Sequence, residues 1–385
     1  MTMTRRAFAF GALASPAAAQ ARPVRLGVLT SLSGPAADSA GPGSVLAARM
    51  ALEDRPDVPA ELLVADMGSR PDVGAALARA WFDQDSVHAV LDVPNSATAL
   101  AVADVVRARN RVALFSGAGS TALTAACSPN HLQWTYDTAA LARGAAAAVL
   151  AEGGRTWFFL TADYTFGHAL QRDVTAVVQD KGGQVLGARA FPGDMLDFSA
   201  LLLEARASGA EVIGLACTAA PFETLVKQAA EFGITQRLAS LLCLETNVHA
   251  IGLADAKGLL VTAPFYWDLD EGTRAFAARF GPRNRGIMPT MVHAGVYSAT
   301  THLLRTVVAG VDPADGAGMI AAMKRLPAQD ALFGRSDLRA NGSVAHPMHL
   351  FRVKTPGESR GAWDYYTRLR TTPAAEAFGP AARCS

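Results

Sequence analysis

The run Val24-Arg25-Leu26-Gly27-Val28-Leu29 leads into Thr30-Ser31-Leu32-Ser33-Gly34-Pro35, and a helix-like stretch over 44–54 follows. A short apolar strand, a loop of small residues and a helix make one unit, and the unit repeats. Strand-like runs at 61–65, 89–93 and 112–115 alternate with helix-like stretches at 73–84 and 97–109. The pattern restarts at 157–161 and continues through helix 168–181, strand 184–189, helix 198–208, strand 212–216, helix 221–232 and strand 239–244. Such alternation predicts parallel sheets covered by helices, and two series predict two α/β lobes. The alanines of 145–151 suit close helix-on-sheet packing, although helix propensity alone accounts for them.

The chain has 385 residues, 50% hydrophobic and 18% charged, enough for two cores. Its 35 basic residues nearly cancel its 34 acidic ones, so no basic stripe is available to grip a phosphate backbone. Nucleic acid is therefore not expected as a partner. The start differs from the rest: Arg5-Arg6 precede an apolar stretch over 7–14 and the small residues Ser15-Pro16-Ala17-Ala18-Ala19. That order reads as an export signal over 1–22, of the twin-arginine kind, and its apolar run is far shorter than the ~20 residues that cross a bilayer. A periplasmic location is expected.

Four cysteines remain, Cys127, Cys217, Cys243 and Cys384, and an oxidising compartment permits disulfides among them; if all four join, three pairings exist. Cys217 and Cys243 lie in apolar strand-like runs, where a buried free thiol is the simpler reading. No Cys/His spacing suggests zinc, and His346 and His349, three apart beside Pro347, read as surface or structural residues.

In open parallel sheets ligands bind beyond the carboxyl ends of the strands. The loops there are Val93-Pro94-Asn95-Ser96-Ala97-Thr98 and Ser116-Gly117-Ala118-Gly119-Ser120-Thr121. Hydroxyls and helix-start N–H groups suit an incoming carboxylate; Asn95, Ser96 and Ser120 equally suit plain helix capping. The glycines match neither a phosphate loop nor a G-x-S-x-G elbow.

In this order, these loops together with Ala162-Asp163-Tyr164-Thr165-Phe166-Gly167 and Phe265-Tyr266-Trp267-Asp268 resemble the type I periplasmic binding proteins of the Leu/Ile/Val-binding kind, which serve ABC importers. The resemblance implies two Rossmann-like lobes joined by a three-strand hinge. Residues 23–136 and 268–345 would form lobe one, residues 137–267 and 346–385 lobe two. It implies no enzyme activity and no cofactor, a monomer, permease subunits as partners, and a small ligand held by hinge closure. The ligand would be a branched-chain or aromatic amino acid or a related carboxylate; subgroup likeness extends to receptors for aromatic acids.

The resemblance assigns a ligand carboxylate to Asn95, Ser96, Ala118, Gly119 and Ser120. It places Tyr164, Phe166, Thr218 and Tyr266 as further contacts, each ring serving equally as packing for its own lobe. Glu245 is either an acceptor for an α-ammonium group or the cap of a helix beginning near Asn247. Cys127 with Cys384 is the disulfide implied. Ala36-Ala37-Asp38-Ser39-Ala40 stands where the amino-acid binders carry an aromatic residue, which leaves room for a bulkier side chain. Two other readings stay open: a sensory module of the same fold, and, less compatible with the absent serine elbow, an exported α/β hydrolase.

Overall fold

The apolar strands pair as parallel ladders because their intervening segments are helices long enough to cross a sheet face. The computed structural model describes residues 23–34, 36–381, 383 and 384, and the export-signal reading lies outside them. In the first series β1 (Val24–Thr30), α1 (Gly41–Glu53), β2 (Ala60–Asp66), α2 (Pro71–Asp83), β3 (Ala89–Asp92), α3 (Ser96–Ala108), β4 (Val112–Phe115), α4 (Ala122–Ala125) and β5 (His131–Gln133) build a sheet of order β2-β1-β3-β4-β5. Every residue of β3 and β4 is buried, as expected for strands covered on both faces, whereas β2 at the edge is half-exposed. Gly27 in β1 is required by close approach: a Cβ there would lie 2.4 Å from the Trp81 ring of α2.

The chain crosses to the second lobe through α5 (Thr138–Leu141), a π-helical stretch Ala142–Ala146 and α6 (Ala147–Ala151). There β6 (Thr156–Ala162), α7 (Thr165–Asp180), β7 (Gln184–Phe191), α8 (Ser199–Ala207), β8 (Val212–Ala216), α9 (Ala219–Glu231) and β9 (Arg237–Ser240) form a parallel sheet of order β7-β6-β8-β9. Next come α10 (Glu245–Ile251), α11 (Leu253–Ala256) and β10 (Leu260–Ala263).

The chain then returns through α12 (Glu271–Phe280) and α13 (Met291–Val308). Helix α13 packs along α1, where Thr290 Oγ1 donates to Ser39 O (2.9 Å) and the His293 ring meets Ala40 O (2.9 Å). After α14 (Gly316–Arg325), the strands β11 (Ala328–Asp330), β12 (Gly334–Leu338) and β13 (Val344–Ala345) make a small antiparallel sheet. Two last strands, β14 (Met348–Val353) and β15 (Tyr366–Thr372), join β10 in a fourth sheet, and α15 (Ala374–Phe378) leads to the tail.

Several sequence expectations shift. The strand expected at 239–244 ends at Ser240, and the helix expected near Asn247 begins at Glu245 with Leu244 as its N-cap. Glu245 is therefore inside the first turn and does not cap it. The helix expected from His168 begins at Thr165, which puts Tyr164 at its N-cap. His346 is not a surface residue: it is buried between the rings of Phe333 (4.7 Å) and Phe378 (5.4 Å), and burial pushes its imidazole down to about 3. Cys127 is bonded to Cys384 (S–S 2.09 Å), and Cys217 and Cys243 are buried free thiols. Among the described residues no helix is long and apolar enough to cross a membrane, and no group of three or more His, Cys, Asp or Glu side chains is placed to hold a metal.

Candidate functional site

Parallel sheets direct the starts of their helices toward the carboxyl edge, and the two lobes present these edges to one cavity of about 420 Å³. It is walled by the N-caps of five helices: Ala40 of α1, Asn95 of α3, Tyr164 of α7, Thr218 of α9 and Leu244 of α10. Each start carries N–H groups without intrahelical acceptors and the positive end of a helix dipole, so the space favours negative charge although no described residue puts a cationic side chain in its wall.

Asn95 is a working cap: its Oδ1 accepts from Thr98 N (2.9 Å) and from Thr98 Oγ1 (3.1 Å). Asn95→Ala is expected to cost about 1 kcal/mol of stability in urea unfolding, the usual loss for such a cap; an unchanged midpoint would contradict this. Beside it, Ser96 Oγ accepts from Ser120 N (3.2 Å), which leaves the Ser96 hydroxyl proton to be donated elsewhere. Ser96 and Ala97, at the first two positions of α3, keep their backbone N–H groups free of the helix ladder.

The loop 116–120 is held from behind. Tyr136 OH donates to Gly117 O (2.8 Å), Gln133 Nε2 to Ala118 O (3.0 Å) and Ser120 O (3.2 Å), and Thr138 N to Gly119 O (2.8 Å). Gly119 lies under two rings: a Cβ there would sit 2.4 Å from Tyr136 and 2.8 Å from Phe166. Those rings meet edge to face, 6.5 Å apart. Burial pushes the phenols of Tyr136 and Tyr164 upward, so both remain neutral donors. Tyr164 OH lies 3.3 Å from Thr218 Oγ1.

Below the cavity floor, Thr30 Oγ1 donates to Asp92 Oδ2 (2.7 Å) and accepts from Gly41 N (3.0 Å), tying the ends of β1 and β3 to the start of α1. Burial raises the Asp92 carboxyl to about 6 against the hydroxyls of Ser44 and Thr30. Asp92 and Val93 both have left-handed backbone (φ 76° and 54°), strain stored where the chain turns into the Asn95 loop.

Of the residues singled out from sequence, Asn95, Ser96, Tyr164, Phe166 and Thr218 line this cavity together. Ala118, Gly119 and Ser120 are not in its wall; they form a buried layer behind Ser96 and Tyr136, and Ser120 Oγ accepts from Ala122 N (3.3 Å). Tyr266 points into the core, where its OH donates to Trp363 O (2.9 Å). Glu245 is buried too, outside the cavity wall, near Cys243, Tyr266 and Tyr366, and burial raises its carboxyl to about 8. An ammonium acceptor must be ionised and reach the ligand, and the burial of Glu245 and its place outside the wall both weigh against that role.

Lining residues that the sequence reading missed include Ser39, Ser69, Tyr136, Asp194 and Asn247. Tyr136 follows β5, whose three residues carry too little pattern to reveal a strand. The other four sit in loops or a short helix without apolar periodicity.

The sequence matches the model of the periplasmic binding protein family over residues 23–361. The chain belongs to that family. Among solved structures of periplasmic binding proteins it is similar to one from Burkholderia mallei, with 38% identity, a TM-score of 0.89, and coverage of 92% of this chain and 96% of that one. A branched-chain amino acid ABC transporter periplasmic ligand-binding protein from Burkholderia xenovorans LB400 shows 36% identity and a TM-score of 0.83, covering 93% of this chain and 97% of its own. A solute-binding protein of R. palustris, solved with benzoate, shares the fold at 17% identity, with a TM-score of 0.82 and coverage of 91% and 97%. Among curated proteins none matches significantly. The chain is thus a solute-binding component of the kind that serves ABC transporters, with two α/β lobes around an interlobe cavity.

Proposed function

We propose that this periplasmic binding protein captures a small carboxylate with an apolar or aromatic body and no α-ammonium group, and delivers it to the permease of an ABC importer without chemical change. The observation that carries the reading is the convergence of helix starts on one cavity whose remaining wall is largely apolar: Ala36, Ala97, Phe166, Pro221, Leu242 and Val292. The carboxylate would take the Ser96 hydroxyl and the N–H groups of Ser96 and Ala97, while the rings of Tyr136, Tyr164 and Phe166 enclose the body. The cavity lies within the usual size of small-molecule sites.

Closure follows from walls on both lobes: a ligand touching α3 and α7 at once binds the closed form better, and only that difference shifts the hinge. A second reading, an amino acid, is favoured by Asp194, the one carboxylate in the wall among the described residues. Asp194 is exposed at the rim, where solvent weakens its hold on an ammonium group. The benzoate held by the R. palustris relative and the amino-acid description of the B. xenovorans relative show that either chemistry is carried on this architecture.

Ser96→Ala is expected to weaken binding by about 1.5–3 kcal/mol, the loss of one hydrogen bond to a charged group. Calorimetric titration of the ligand-free protein measures it, and an undiminished affinity would remove Ser96 from the carboxylate site.

A further inference from the structure

A second cavity, of about 440 Å³, shares no lining residue with the first. Arg143, Arg172 and Arg339 line it, with Asp137 as the one carboxylate of the wall among the described residues and Asn341 and Phe378 alongside. These residues come from distant parts of the chain: Asp137 and Arg143 from the first crossing between the sheets, Arg172 from α7, Arg339 and Asn341 from the turn between β12 and β13, and Phe378 from the end of α15.

The guanidinium groups are incompletely partnered. Arg143 Nη1 donates only to Ala377 O (3.3 Å), and no carboxylate pairs with Arg143 among the described residues. Arg339, whose side chain is 11% exposed, donates to Gly379 O (2.8 Å) and lies 3.6 Å from an exposed Asp337. Arg172 pairs with Asp173 (2.8 Å) and donates to Thr121 Oγ1 (2.7 Å). Asp137 Oδ1 is used as the cap of α5, accepting from Ala140 N (2.7 Å). Asn341 accepts from Ser343 N and Oγ through Oδ1, which leaves its amide N–H groups for another acceptor. Two half-buried or nearly buried cations facing one space are costly unless an anion answers them, and planar guanidiniums match oxyanions in bidentate fashion.

We propose that this hinge cavity is a second binding site, for a small polyvalent oxyanion: a phosphate or a di- or tricarboxylate held by Arg143, Arg172 and Arg339. Asp173 already answers Arg172 and the exposed Asp337 partly answers Arg339, so Arg143 and the free guanidinium N–H groups of the other two supply the attraction, and three converging forks select a ligand with several oxygens over chloride. The test is calorimetric titration of the ligand-free mature protein with citrate and with inorganic phosphate, ionic strength being matched with sodium chloride. One-to-one binding of at least one of them is expected, weakened about tenfold or more by Arg143→Gln, since a charge-assisted hydrogen bond is lost. Arg172→Gln, at a side chain that is 60% exposed, supplies a second variant should Arg143→Gln fail to fold. An anion weakened by Ser96→Ala and by neither arginine variant sits in the main cavity and overturns the proposal. So does the absence of binding by both anions.

Discussion

Glu245→Gln is expected to make the protein more stable as pH rises, with little difference below about pH 4.5. The carboxyl is buried, its Oε1 meets no hydrogen-bond partner among the described residues, and burial raises it from 4.5 to about 8. Between those values the folded state holds a proton that the unfolded state has released, so wild-type stability falls with rising pH across this window. At pH 7 the difference is on the order of 3 kcal/mol in favour of glutamine, which mimics the protonated acid and has no charge to bury. Urea unfolding of both proteins at pH 5 and pH 8 measures it. Equal pH dependence in the two would show that Glu245 is ionised in the folded state. Loss of ligand binding in the variant would return Glu245 to the site.

Removing the disulfide by Cys127→Ser with Cys384→Ser is expected to cost about 2–5 kcal/mol. The bond spans 257 residues and ties the tail beyond α15 to the end of α4, so the unfolded chain loses a long-range constraint when it is absent. The cost grows only with the logarithm of loop length, so the value stays near that of much shorter loops. Cys217 and Cys243 will not substitute for it, because both are buried and burial pushes their thiols upward. An unfolding midpoint that does not move, in the double variant or in wild type under reductant, would show that the tail is held by packing alone.

What was legible in the sequence follows from how strongly each segment is buried. β1, β3, β4, β6 and β8 are apolar along nearly their whole length because helices cover both faces, so their alternation with helices reveals both parallel sheets. β5 escapes notice because it is short and carries His131 and Gln133, polar residues whose burial depends on bonds to Leu123 O, Ala118 O and Ser120 O. β15, Tyr-Thr-Arg-Leu-Arg-Thr-Thr, is largely exposed and has no apolar stripe of its own.

The site divides the same way. Asn95, Ser96, Tyr164, Phe166 and Thr218 stand at helix starts after recognisable strands, so position draws attention to the Asn95 loop and the family resemblance supplies the other three. Glu245 lies elsewhere than the strand pattern implies because the chain leaves β9 four residues earlier than that pattern suggests, and Leu241, Leu242, Cys243 and Leu244 are buried as a loop. That shift places the carboxylate in a helix turn over the core. Ala118, Gly119 and Ser120 lie outside the wall, because tertiary contacts that the sequence does not display put Tyr136 and Ser96 against them.

The central claim is that the cavity takes a carboxylate without an ammonium group. The most direct measurement is calorimetric titration of the ligand-free mature protein with matched pairs: phenylpyruvate and phenylalanine, the 2-keto acid of leucine and leucine itself, and 4-hydroxybenzoate. The account predicts saturable binding of at least one acid lacking the ammonium group, with its amino-acid counterpart silent and the affinity reduced in Ser96→Ala. Binding by the amino acids alone would contradict it and make Asp194 the acceptor.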